Sequence, residues 1–155
     1  MKKPFLILIA AGFLLITFDC WSQKQGRALL DSLIAEVPKA KEDKNKVSLY
    51  DKIILEYIEI SSYDGLQYEK PATELALKLN WKAGTGGIKN DIGKLYWRKG
   101  NFDAALKYHF EALKIFQELD DKSSIGNSFT SIGQDYADSG NYTEALKYFK
   151  TAFRS

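Results

Sequence analysis

Apolar residues recur along the chain at the three- and four-residue spacing of helices that are buried on one side. Phe129, Ile132 and Tyr136 fall on one face of such a helix. Gly140 and Asn141 then interrupt the pattern, where glycine allows the positive φ that ends a helix, and a second segment with the same spacing follows. The long apolar segments do not alternate as strands do. The pattern therefore predicts an all-α chain of paired helices.

The same arrangement occurs forty residues earlier, so the chain contains internal repeats. An earlier and more divergent copy places Leu66, Tyr68 and Ala72 in register with the later two. Small residues at recurring positions predict close helix crossings. The identical positions in segments 93–114 and 133–154 are Gly93/Gly133, Tyr96/Tyr136, Gly100/Gly140, Asn101/Asn141, Ala105/Ala145, Leu106/Leu146, Lys107/Lys147, Tyr108/Tyr148 and Ala112/Ala152.

These residues resemble tetratricopeptide repeats, with Ile92-Gly93-x-x-Tyr96, Gly100-Asn101-Phe102 and Ala105-Leu106-x-Tyr108 as the matching runs. The usual period of that family is 34 residues, so the chain resembles a longer variant whose second helix extends through Leu119. The resemblance covers about residues 45–155. It implies a right-handed superhelical solenoid of antiparallel helix pairs, with repeats at about 45–83, 84–123 and 124–155, the last of them incomplete.

The first repeat departs from the pattern. Gly65 replaces a small alanine, and Pro71 falls inside the second helix, where a proline removes a hydrogen bond and kinks the backbone. We expect this repeat to be bent or looser than the others. Before it, residues 23–44 are interpreted as a leading helix over residues 25–37, which ends at Pro38, and a linker.

The first 22 residues have the three-part pattern of a secretory signal peptide. A basic head precedes an uncharged apolar run from Phe5 to Phe18, and Cys20 and Ser22 place small side chains before a cut at Gln23. An uncleaved anchor is an alternative, although a spanning helix needs about 20 apolar residues. A lipoprotein is another, which Asp19 fits poorly. The pattern predicts a periplasmic or secreted protein of a Gram-negative-like bacterium, with membrane contact only through this segment if it is uncleaved.

Composition excludes several classes of protein. A formal net charge of +2 does not suggest binding to nucleic acid through bulk electrostatics. The single cysteine lies in the signal segment and rules out an internal disulfide framework or a zinc site of several thiolates. Balanced charge and 14% aromatic residues are those of a folded chain.

Candidate catalytic chemistry is sparse. His109 is the only histidine, and no carboxylate and nucleophile stand at a defined spacing from it, so we interpret it as a packing residue in place of an aromatic one. Residues 84–87 are glycine-rich but lack the Gly-Lys-Ser/Thr of a phosphate loop, and are predicted to connect two helices. Tyr68, Tyr108 and Tyr148 recur every forty residues and are predicted to pack between helices. We expect no enzyme activity, cofactor or metal.

The resemblance also implies a concave groove lined by the first helix of each repeat. Trp97 beside Arg98 is the expected anchor, since both residue types are enriched at interface hot spots; the alternative is that Trp97 packs against repeat three. The carboxylate clamp known in the family is not reproduced. The groove positions are Asn90, Lys94, Trp97, Arg98, Asn127, Thr130, Gln134 and Asp138, with Asp51 and Glu59 in repeat one.

Two functions follow as expectations. The first is an exported, non-enzymatic scaffold that binds a peptide or protein segment in the groove. The second is the extracytoplasmic input region of a larger signalling protein with a histidine kinase or helix-turn-helix regulator. The signal peptide and the helix with Leu30-Asp31-Ser32-Leu33 resemble the N-terminal part of such proteins. Phe149 and Phe153 are predicted to form an uncapped apolar patch, which would suit a longer protein, self-association or a bound partner.

Overall fold

The computed structural model describes residues 25–60 and 63–154, and over these residues the chain is helical with no strand. The predicted all-α class is therefore confirmed, whereas the predicted signal peptide at residues 1–22 lies outside the described residues. Short 3₁₀ segments occupy Val37–Lys39 and Tyr63–Tyr68. The α-helices are α1 (residues 25–36), α2 (Lys44–Glu59), α3 (Glu69–Lys78), α4 (Lys82–Arg98), α5 (Phe102–Glu118), α6 (Lys122–Asp138) and α7 (Tyr142–Ala152).

The turns that follow α3, α4, α5 and α6 repeat one geometry every twenty residues. In each turn two backbone N–H groups reach back to the preceding helix, as when Asn101 N donates to the carbonyl oxygen of Tyr96 at 3.0 Å. This is a Schellman ending, which satisfies carbonyls that the helix leaves free. Because each connection is only three residues long, consecutive helices run antiparallel. The residues with positive φ are Asn80, Gly100, Asp120 and Gly140.

Small residues bring the paired helices close together, as the repeat pattern predicts. A methyl group on Gly93 would lie 2.5 Å from the ring of His109, and one on Gly133 would lie 2.7 Å from the ring of Phe149. Ala105 is fully buried. The rings therefore occupy the space that a larger side chain on the facing helix would need.

A pair of stacked tyrosines joins the two helical segments of every repeat. The second member of each pair is the tyrosine that recurs every forty residues, so its predicted place between helices is confirmed. The pairs and their centroid separations are Tyr57–Tyr68 at 5.8 Å, Tyr96–Tyr108 at 5.4 Å and Tyr136–Tyr148 at 5.5 Å.

Repeat one is irregular, although not in the way its sequence predicts. Pro71 is the third residue of α3, in the first turn, where the missing N–H needs no partner within the helix. The expected kink inside a helix is therefore wrong. The irregularity lies earlier, because the segment Tyr63–Tyr68 is a 3₁₀ helix where later repeats are already α-helical.

The loop predicted at the glycine-rich residues 84–87 is wrong. This segment lies inside α4, which begins at Lys82. Gly86 faces the ring of Phe116 on α5, where a methyl group would lie 2.8 Å away, and Gly84 packs against Trp81. Gly84 and Gly86 serve helix packing, which the preference of glycine for turns conceals in the sequence.

The leading helix α1 covers one side of the stack. Leu30 is buried there and joins the core formed by Val47, Ile53 and Ile54 of α2. The helix stops before Val37–Lys39, which contains Pro38 as predicted. None of the helices that the structure describes has the length and apolarity to cross a membrane.

Candidate protein-binding groove

The first helices of the repeats, α2, α4 and α6, are neighbours along one side of the stack. α4 contacts α2 on one flank and α6 on the other, while α5 and α7 pack behind them. This arrangement gives the chain a surface made of successive first helices. The predicted groove residues on α4 and α6 belong to this surface.

A pocket of about 230 Å³ opens between α4 and α6. Four of the predicted groove residues contribute to it, namely Lys94, Trp97, Thr130 and Gln134. Asn90 and Asn127 do not line it. Its remaining lining residues are His109, Ser131 and Asp135.

Trp97 is held in place by repeat three. Its indole Nε1 donates to Asp138 Oδ2 at 2.6 Å, and Gln134 Nε2 donates to the same oxygen at 2.8 Å. The Arg98 guanidinium lies 5.6 Å from the centre of the Trp97 ring. Trp97 therefore contacts α6 and also lines the pocket, so the two interpretations of this residue are compatible.

A buried histidine–aspartate pair forms the floor of the pocket. His109 Nδ1 and Asp135 Oδ2 are 2.6 Å apart, and both side chains are almost completely buried. Burial raises the pKa of Asp135, and the hydrogen bond with His109 opposes that rise. His109 Nε2 and Asp135 Oδ1 have no hydrogen-bond partner. The interpretation of His109 as a packing residue is correct but incomplete, because the ring also carries a buried polar contact to the next repeat.

Two carboxyl groups meet where α2 crosses α4. The side chain of Asp51 hydrogen-bonds that of Asp91, and burial together with the charge of Asp91 raises the pKa of Asp51 to about 7. Lys94 Nζ is 2.6 Å from Asp91 Oδ1 and acts in the opposite direction on Asp51. The contact therefore favours the protonated form of Asp51, next to the ion pair of Asp91 and Lys94.

The remaining predicted residues are dispersed along the surface. Asn90 Nδ2 donates to Asp91 Oδ1 at 3.2 Å. Asn127 and Glu59 are exposed. Half of the groove residues predicted on α4 and α6 thus line one pocket, and the other half do not.

Sequence reasoning missed Asp91, Ser131 and Asp135. Asp91 follows Asp51 by one period, so the repeat register could have paired them. Asp135 occupies the position that Leu95 holds one repeat earlier. An acidic residue at a repeat position that is apolar elsewhere could have indicated a buried polar contact. In the part of the chain that the structure describes, no three His, Cys, Asp or Glu side chains are placed to hold a metal ion.

Residues 85–155 match the tetratricopeptide-repeat family. This part of the chain is a tetratricopeptide-repeat array. A solved tetratricopeptide-repeat domain is among the structures similar to this chain. No curated protein sequence matches the chain. The array supports the general function of a protein–protein interaction scaffold.

Two crystal structures illustrate the similarity of fold. BtubC from P. vanneervenii has a TM-score of 0.66 and 22% identity, over 73% of this chain and 47% of BtubC. The tetratricopeptide-repeat domain of Arabidopsis FLU has a TM-score of 0.65 and 21% identity, over 72% of this chain and 94% of that domain. The chain therefore spans about half the length of BtubC.

Proposed function

We propose that this tetratricopeptide-repeat protein is an exported, non-enzymatic scaffold that binds a peptide or protein segment along α2, α4 and α6. The observation that carries the proposal is the pocket around Trp97. Its volume of about 230 Å³ is below the roughly 300–1,000 Å³ of small-molecule sites. Such a pocket suits one side chain of a partner that lies along the groove.

The residues at the pocket suit recognition of a peptide. Because the indole N–H of Trp97 is already bonded to Asp138, the partly exposed ring offers apolar area without leaving a polar group unpaired on binding. Gln134 is exposed beside it and supplies an amide that can hydrogen-bond a peptide backbone. Tryptophan and arginine together match the composition of hot spots.

Peptides selected from a random displayed library against the purified chain provide the probe. We expect Trp97→Ala and Arg98→Ala each to lower the affinity for a selected peptide at least about tenfold, which corresponds to 1.4 kcal/mol of binding free energy. Fluorescence anisotropy of the labelled peptide measures the loss, and circular dichroism establishes that helicity is unchanged. Trp97→Phe keeps the ring and should retain most of the affinity.

Lys114→Ala is the matched control, because Lys114 is an exposed cation on α5, away from the pocket lining. It should leave the affinity unchanged. Equal binding to the native chain and to a folded Trp97→Ala variant would remove the groove from the proposal.

Export is the part of the proposal that rests on the N-terminal sequence. Edman sequencing of the protein recovered from the extracytoplasmic fraction should begin at Gln23. An intact Met1 on the exported protein would contradict cleavage and favour the anchored alternative.

A second candidate is the input region of a larger signalling protein. The observation that favours it is the combination of a signal-like N terminus with the Leu30–Leu33 helix, which here packs on the array as α1. Genomic DNA downstream of the codon for Ser155 tests it. Sequence for a membrane helix and a kinase or regulator supports this candidate, and an intergenic gap contradicts it.

A further inference from the structure

The pocket between α4 and α6 contains hydrogen-bonding groups that the described part of the chain does not satisfy. His109 and Asp135 both line it, at 1% and 0% exposure. His109 Nε2 and Asp135 Oδ1 have no hydrogen-bond partner among the described residues. Native proteins rarely leave buried polar atoms unpaired, because nothing then compensates for the lost hydration. The floor of the pocket therefore suits a hydrogen-bonding group of a bound partner.

The proton between these two side chains determines which group suits them. Asp135 Oδ1 accepts a hydrogen bond whether the proton of the 2.6 Å contact lies on His109 Nδ1 or on Asp135 Oδ2. His109 Nε2 accepts when the only ring proton is on Nδ1, and it donates otherwise. A hydroxyl group both donates and accepts, so it can pair with either atom in every one of these states, whereas an indole N–H only donates.

The charged groups around the pocket favour a neutral side chain. Lys94 lines it, and the Arg98 guanidinium lies 5.6 Å from the centre of the Trp97 ring. A cationic side chain would be repelled by both. An anionic side chain would meet Asp135 on the floor and Asp138, whose carboxylate accepts from the Trp97 indole at 2.6 Å. Either charge would therefore be opposed by groups of its own sign.

The volume and the wall of the pocket favour an aromatic ring. A volume of about 230 Å³ is several times the roughly 30 Å³ of one water molecule. A single water or the short side chain of a serine would therefore leave most of it empty. Trp97 lines the pocket, and aromatic rings pack favourably against one another in offset or edge-to-face arrangements. Tyrosine is the natural side chain that combines such a ring with a hydroxyl group.

We propose that the pocket receives a tyrosine side chain of the bound segment, with its ring against Trp97 and its hydroxyl group on the pair of His109 and Asp135. This inference rests on the proposed function, because it names the residue of the partner that the groove recognises. Tyrosine is also enriched among the residues that dominate interfaces. Phenylalanine would occupy the same space but leave the buried polar atoms unpaired, so the two residues should bind with different affinity.

Peptides that differ by one oxygen atom test the inference. Peptides selected from a random displayed library against the full chain should share a tyrosine. Replacing it by phenylalanine should lower the affinity at least about tenfold, as measured by fluorescence anisotropy. Ser131→Ala is the matched control, because this hydroxyl also lines the pocket. It should leave the ratio of the two affinities unchanged, and a lost preference in this variant would overturn the assignment to His109 and Asp135.

The double variant His109→Phe/Asp135→Leu replaces the polar floor by an apolar one. The preference for tyrosine should disappear in it, so the phenylalanine peptide should bind at least as tightly as the tyrosine peptide. Circular dichroism establishes that the variant is folded. A preference that persists in the folded double variant would overturn the inference.

A spectroscopic measurement gives a test without any substitution in the protein. His109 is the only histidine of the chain, so untagged protein with nitrogen-labelled histidine has one imidazole to observe by NMR. The Nε2 resonance should shift further on saturation with the tyrosine peptide than with the phenylalanine peptide. Equal shifts would contradict a hydroxyl group on the buried pair, whether or not the double variant folds.

The outcomes distinguish this inference from the proposed function. If Trp97→Ala lowers the affinity but the tyrosine and phenylalanine peptides bind equally, the groove is retained and the recognition of tyrosine is overturned, with water satisfying the buried pair. Selected peptides that depend on Trp97 but share no tyrosine also overturn it. A library that yields no peptide dependent on Trp97 overturns both proposals.

Discussion

At the scale of single residues, the contact between His109 and Asp135 links repeat two to repeat three. Both side chains are buried, and each carries one polar atom without a partner. A buried ionisable group is tolerated only while its partner remains. The stability of the interface between α5 and α6 therefore depends on keeping the two residues together.

A double-mutant cycle measures this dependence. His109→Phe should lower the free energy of unfolding by about 3–5 kcal/mol because it leaves the buried carboxyl group of Asp135 without its partner. Asp135→Leu should lower it by about 1–3 kcal/mol because it leaves His109 Nδ1 without a hydrogen-bond partner. Urea unfolding of the double variant should show a loss well below the sum of the two. Strictly additive losses would mean that the pair is not coupled.

Two glycines of α4 should respond in opposite directions to alanine. Gly93→Ala places a methyl group 2.5 Å from the His109 ring and should destabilise the fold by about 1–3 kcal/mol. Gly87→Ala meets nothing within 4 Å and should stabilise it by about 0.5–1 kcal/mol. Thermal melts of the two variants check this, and equal shifts in Tm would contradict the packing described for Gly93.

The sequence predicts the packing role of these residues better than their polar contacts. The recurrence of Gly93 at Gly133 is enough to indicate a close helix crossing, because a small residue kept at one repeat position has a packing reason. The partner of His109 lies on another helix, 26 residues away, at no motif spacing. Tertiary stacking alone brings the two side chains together, so spacing along the chain did not indicate Asp135.

At the scale of helices, the crossing of α2 and α4 carries a titratable contact. The pKa of Asp51 is raised to about 7 by burial and by Asp91, compared with about 3.9 in an unfolded chain. Between these values the folded protein keeps a proton that the unfolded chain releases. The free energy of unfolding should therefore fall as pH rises from about 4 to about 7.

Asp51→Asn tests this contact. An amide can donate to Asp91 as the protonated acid does, and it does not titrate, so the decline in stability between about pH 4 and pH 7 should become shallower. Chemical denaturation at several pH values provides the measurement. Asp31→Asn, on the neighbouring helix α1, is a control that should leave the native slope. An unchanged slope in Asp51→Asn would contradict the raised pKa of Asp51.

Helix boundaries were predictable where the turn chemistry is explicit. Gly100 and Gly140 mark two turns correctly, whereas Asn80 and Asp120 take the same positive φ with residues that the pattern does not single out. The loop predicted at residues 84–87 fails for the opposite reason. Gly84 and Gly86 face Trp81 and Phe116, and this packing cannot be read from local preference.

At the scale of the whole molecule, the array is a linear stack in which each helix depends on its neighbours. α4 contacts α2, α3, α5 and α6, whereas α7 contacts α6. Local opening should therefore be easiest in α7.

Hydrogen exchange followed by mass spectrometry measures this gradient. At low protein concentration we expect the amides of α7 to exchange fastest among α4 to α7 and those of α4 to exchange slowest. The amides of α4 provide the internal reference. Protection of α7 equal to that of α4 in dilute solution would contradict a stack of nearest-neighbour contacts.

The forty-residue period was sufficient to predict the class of the fold and the succession of helices, because each repeat carries its own small residues and stacked tyrosines. The same period was sufficient to predict only part of the groove lining. These positions come together only through the stacking of repeats two and three, which also brings Trp97 to Asp138. The residues that share the pocket are Lys94, Trp97, Thr130 and Gln134.

The pair of His109 and Asp135 affects which repeats can pack against each other. Repeats that are this alike can exchange places, either within one chain during folding or between two chains by swapping. An arrangement that separates α5 from α6 while His109 or Asp135 stays buried leaves that side chain without its partner, at a cost of several kcal/mol. The pair thus favours the native contact between repeats two and three over contacts in which either repeat packs against a different one.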